Sequence, residues 1–166
     1  MTRNIFQQYY GNARATKVIY GTILIAAFLI TKDHIGENSS LAVAISTFFA
    51  AIAIVFAEIY SELLGETIRK NKKLSRTERN AIEKDTFAII SVSILPSIVF
   101  LVSYVGLYST QVAFTISYTL LLIILIVFSF WAVRLSGATT LKALVISIII
   151  SVIGIAVVLL KYSLGH

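Results

Sequence analysis

Glu58, Glu62 and Glu66 recur every four residues, so on a helix their carboxylates stand along one side with neighbouring Cβ atoms roughly 6 Å apart. Like charges so arranged repel, and they repel more strongly beside a low-dielectric layer than in water. Such a stripe makes chemical sense when protons or cations neutralise it, and its oxygen donors suit hard ions such as Mg²⁺, Mn²⁺, Fe²⁺ or Ca²⁺. The three glutamates are therefore the candidate metal or transport site, with a divalent metal ion as the implied ligand. Cations of the chain itself compete for them. Glu66 has Lys70 at the next turn, and Glu62 or Glu58 could meet Arg134 or Lys142. Tyr60 and Ser61 add hydroxyls nearby, but on one helix they point elsewhere.

Other chemistry has little to stand on. His34, beside Asp33 and near Glu37, sits in a predicted outer loop, where solvation is the simpler fate for all three. The chain has no cysteine, which excludes disulfides, thiolate catalysis and cysteine-ligated metals. No serine has a His or Lys partner at matching depth, and no glycine loop is built to cradle phosphate. The expectation is that the protein is not an enzyme and has no resident cofactor beyond a metal ion. A net charge of +6 raises the question of nucleic acid, yet no basic stretch is interleaved with stacking aromatics, so no nucleic-acid partner is expected.

The stripe must be positioned by very apolar elements. Of 166 residues 58% are hydrophobic and 13% charged, too few polar groups to cover a water-soluble globule, and the mean hydropathy is +0.90. Apolar runs at about 18–31, 41–66, 86–107, 112–133 and 141–161 predict an all-α, polytopic integral membrane protein with five transmembrane helices. These form one membrane domain over 18–165, after an N-terminal segment 1–17 and with a basic connection at 69–85. The first run is short for a hydrocarbon layer about 30 Å thick, so it must extend back past Lys17 or be partly buried. Runs such as Ile148-Ile149-Ile150 lack the alternation of barrel strands.

Twelve of the fourteen Lys and Arg fall in the N-terminal segment, the 69–85 connection and the turn after the fourth run; only Lys32 and Lys161 fall opposite. The positive-inside bias then predicts an N-in, C-out topology, with segment 1–17 and the 69–85 connection cytoplasmic and the protein in a prokaryotic plasma membrane. The polar N-terminus has no cleavage pattern and is expected to be retained. Within the connection, Ser75 and Glu78 match a capping box, so a helix should begin near Arg76 and run towards the membrane. Its basic density suits a topology determinant and would also attract anionic lipid. Glu58 lies about 26 Å along its helix from Leu41, towards the cytoplasmic boundary.

Pro96 should kink the third span, with Ser93 and Ser97 available to satisfy the freed backbone. In the fifth, Ala143, Ser147, Ser151 and Gly154 line a groove that another helix can enter, from the same chain or from a second copy. An odd number of spans leaves two-fold symmetry to a homodimer, which is the expected assembly.

Five spans, N-in and C-out, with a long second helix carrying Ala57-Glu58-Ile59-Tyr60-Ser61-Glu62, resemble the vacuolar iron transporter family. The C-terminal half is also similar: Ile94-Leu95-Pro96 in the third span, a short outer hairpin at Tyr108 to Gln111, then Phe128-Ser129-Phe130-Trp131-Ala132-Val133-Arg134-Leu135-Ser136-Gly137 before the last span. The resemblance implies a dimeric five-helix scaffold and exchange of a divalent cation, iron or manganese, for protons through Glu58 and Glu62. The chain departs from the family in having no acidic residue within 18–31 and no methionine except Met1. In place of the family's glutamate-rich insertion it has a short basic connection. The alternative reading is a non-transporting structural or partner-binding membrane protein without that metal site.

Overall fold

The computed structural model describes the backbone of residues 2–164 and the side chains of residues 14–152. Six helices follow one another: α1 (Thr2–His34), α2 (Ser40–Lys70), α3 (Arg76–Thr86), α4 (Ala88–Tyr104), α5 (Thr110–Leu135) and α6 (Thr140–Leu164). No strand occurs among the described residues. Four stretches are long and apolar enough to cross a membrane, namely Arg14–His34, Ser40–Lys70, Arg76–Tyr104 and Thr110–Leu135. The described side chains of α6 add a shorter apolar stretch, Thr140–Val152, so the fifth expected span lies partly outside the described residues.

Short polar signals start and stop these helices. Ser39 caps α2 by accepting from Ala42 N, and Ser109 caps α5 by accepting from Val112 N. Ser75 and Glu78 form the reciprocal capping box of α3. Asn71 closes α2 in the left-handed region at φ 47°, a conformation that asparagine tolerates better than most residues. The expected 86–107 span corresponds to the apolar α4, and the polar α3 leads into it: Phe87 between them keeps an α-type backbone and its N–H still donates to Glu83 O.

α1 touches each of the other five helices and is the axis of the bundle. Its buried residues Val18, Thr22, Ile25 and Leu29 recur at four- and three-residue steps on one face. Large apolar side chains elsewhere face outward, among them Phe49, Phe56 and Ile149, as suits an exterior of lipid. In such surroundings burial of apolar area drives helix association weakly, so close packing and interhelical hydrogen bonds carry more of it. Gly21 supplies one close approach, because a Cβ there would lie 2.9 Å from Ile89 Cγ2 on α4. We expect Gly21→Ala to destabilise the fold by about 1–2 kcal/mol, read as a lowered unfolding temperature in detergent.

At the end away from the 69–85 connection, hydroxyls join α2, α4 and α5. Ser40 Oγ lies 2.8 Å from both Ser103 Oγ and Thr110 Oγ1, and Tyr108 Oη donates to Val99 O at 2.7 Å. One expectation is corrected here, and one left open between two partners is narrowed. Ser93 and Ser97 do not take up the carbonyl freed by Pro96: Ser93 Oγ donates to Ile90 O, and Ser97 Oγ crosses to Ala44 O on α2. The small-residue groove of α6 is also occupied from within, since Ala143, Ser147 and Ser151 are buried where α6 packs on α5 and α1. A second copy would therefore have to dock elsewhere; the groove's fourth member, Gly154, lies outside the described side chains.

Candidate functional site

α1 and α2 form an antiparallel hairpin in which Lys17 and Glu58 lie about equally far from the 35–39 turn. Lys17 reaches across from α1 and lies between two of the three glutamates. Its ammonium donates a hydrogen bond to Glu58 Oε1 and stands 2.6 Å from Glu62 Oε2. The second contact is an ion pair with a buried oxygen that meets no other partner. The Lys17 side chain is 13% exposed, against 25% for Glu58 and 35% for Glu62, so the pairing is sheltered but not sealed. Asp85, at the end of α3, lies within electrostatic range of Glu62, Arg14 and Lys17.

Glu66 belongs to a different set. Its two oxygens face Arg69 at 2.6 Å and Lys70 at 3.4 Å, and Lys70 continues to Glu78 at 2.7 Å. This chain of charges ties the end of α2 to the start of α3. The Lys70 ammonium, with the N–H and hydroxyl of Ser75, holds the Glu78 carboxyl down to about 2, so the capping box stays ionised far into the acid range. Among the seven basic residues of the connection, Lys72, Lys73, Arg76 and Lys84 make no ion pair with a described residue.

The glutamate stripe thus divides between two groups of cations, and no three His, Cys, Asp or Glu among the described residues gather as a metal-holding group. The cations are only partly those expected. Glu66 does pair with Lys70, but Arg134 and Lys142 do not meet Glu58 or Glu62; Arg134 Nη1 instead donates to Ala138 O at 2.9 Å, closing the turn after α5. The acidic residues of the opposite end also have local roles. Tyr118 Oη donates to Asp33 Oδ2 at 3.1 Å, and Glu37 Oε1 accepts from Ser39 N at 3.2 Å. In the sequence Lys17 reads only as one of the cytoplasmic positive charges. The one signal there for its role is the shortness of the first apolar run, which leaves either a helix extended back past this residue or a partly buried one.

A cleft of about 400 Å³ opens beside the cluster, between α1, the α3–α4 junction and α5. Arg14, Asp85, Phe128 and Trp131 are among the residues that line it. No known family pattern matches the chain, and no curated protein or solved structure matches it either.

Proposed function

We infer that the chain is a non-transporting integral membrane protein, a five-span scaffold whose glutamates brace its helices and whose basic connection meets anionic lipid or a partner. The observation that carries this reading is that each of the three glutamates is ion-paired within the chain, Glu58 and Glu62 with the shared Lys17 and Glu66 with Arg69 and Lys70. Intramembrane carboxylates are expensive unless they are paired or in use, and pairing accounts for these. The charge asymmetry supports an N-in, C-out orientation. Lys72, Lys73, Arg76 and Lys84 are the residues that would attract anionic headgroups at the cytoplasmic surface, at about 1 kcal/mol each.

One observation favours a second reading, exchange of iron or manganese for protons on a dimeric scaffold like that of the vacuolar iron transporters. A single ammonium serves two carboxylates, and Glu58 and Glu62 each keep one oxygen outside these ion pairs. A proton or a metal ion could take the remaining negative charge at Glu58 and Glu62, whereas Glu66 is held apart by Arg69 and Lys70.

Reconstituted liposomes separate the two. The scaffold reading expects Mn²⁺, Fe²⁺ and proton flux no greater than that of empty liposomes, with Glu58→Gln without effect. Flux above that background, lost in Glu58→Gln while the helical circular dichroism is kept, would overturn it in favour of exchange.

A further inference from the structure

The cleft beside the cluster holds one positive and one negative group that the ion-pair network leaves over. Arg14 and Asp85 line the same space, yet neither makes an ion pair with the other or with any other described residue. Elsewhere at this end of the bundle, acidic side chains such as Glu58, Glu66 and Glu78 are matched to a cation. The buried, apolar Ala15 and Val18 also line the cleft. Its rim is aromatic, with Phe128 and Trp131 at 5.9 Å between ring centroids and Trp131 about half exposed.

The level of these residues narrows the ligand. Arg14 precedes the apolar run of α1 by one turn, Asp85 stands just before the apolar α4, and Trp131 lies one turn from the end of α5. That is the depth at which lipid headgroups and interfacial tryptophans meet. A guanidinium suits a phosphate, and a carboxylate with free lone pairs suits an N–H-bearing ammonium. The volume is within the range of small-molecule sites.

We propose that this cleft binds a zwitterion containing a phosphate and a primary ammonium, as an aminophospholipid headgroup presents them, with Arg14 on the phosphate and Asp85 on the ammonium. This site differs from the diffuse attraction of the 69–85 connection, which responds to net negative charge. A headgroup of zero net charge gains little there.

The test uses the full-length protein in detergent, incubated with equal amounts of phosphatidylethanolamine and phosphatidylcholine of the same acyl chains, and native mass spectrometry of the retained lipid. Both lipids are neutral zwitterions, so the basic connection treats them alike, and only the ethanolamine lipid offers N–H donors to Asp85. About tenfold preferential retention of the ethanolamine lipid is expected, falling below about twofold in Asp85→Asn. Arg14→Gln should lower retention of both lipids together. Millimolar glycerophosphoethanolamine distinguishes the sources: displacement of the lipid supports a free zwitterion as ligand, and failure to displace supports the lipid itself. Equal retention of the two lipids by the unaltered protein, or no lipid retained, would overturn the assignment even if a variant failed to fold. An undiminished preference in a folded Asp85→Asn protein would do the same.

Discussion

Replacing Lys17 with methionine will lower the stability of the folded protein by about 2–4 kcal/mol, seen as a depressed unfolding temperature in detergent. Methionine keeps much of the apolar stem of lysine, so the loss is chiefly electrostatic. Removing one partner of a buried pair strands the other charge, typically at about 3–5 kcal/mol; the 35% exposure of Glu62 moves the expectation down from that range. Two carboxylates would then face each other across one helical turn without a cation. The origin of the effect is checked by adding Glu58→Gln and Glu62→Gln to the Lys17 variant. With no charge left to strand, the triple variant should recover most of the lost stability, giving a coupling of at least about 1 kcal/mol. A Lys17→Met protein as stable as its parent would mean that the brace does not exist. The same variant bears on function: a brace merely loosens, whereas an exchange site relieved of its internal cation should bind Mn²⁺ more tightly.

The apolar runs were legible because length and hydropathy are local properties. Expected spans at 41–66 and 112–133 correspond to α2 at Ser40–Lys70 and α5 at Thr110–Leu135, and the capping box at Ser75 and Glu78 starts α3 where its spacing predicts. The first run was harder to bound. Hydropathy alone stops at the first charge, whereas α1 continues through Lys17, because an ammonium with partners across a hairpin need not end a helix. The stripe itself was visible in the spacing of Glu58, Glu62 and Glu66, but its partners were not. Choosing between Lys17, Arg134 and Lys142 requires knowing which helices are neighbours and at what depth, and residue spacing within one helix contains neither. The cleft beside Asp85 has no signature in the sequence for the same reason: four helices contribute to it, and none has a motif. Ser97 likewise looked like a repair for Pro96 in sequence, yet its hydroxyl faces a carbonyl of the neighbouring α2.

Ser147→Leu is expected to cost about 3 kcal/mol or more, because α6 meets α5 and α1 through side chains too small to yield. Ala143 and Ser147 are wholly buried and Ser151 nearly so, which leaves no space for three added carbons without moving a helix. The hydroxyl is not the reason. Ser147 Oγ donates to Leu144 O within its own helix, an interaction that adds little, so Ser147→Ala should stay within about 0.5 kcal/mol of the parent. Volume and polarity are thereby separated by two substitutions at one position. The pair also bears on assembly. If the stripe is filled from within the monomer, Ser147→Leu lowers the unfolding temperature while the mass of the remaining folded protein, measured by light scattering in detergent, stays that of the parent. A Leu variant that keeps its unfolding temperature and instead halves the particle mass would identify the stripe as the contact between two copies, and the packing of α6 against α1 and α5 would have to be reconsidered.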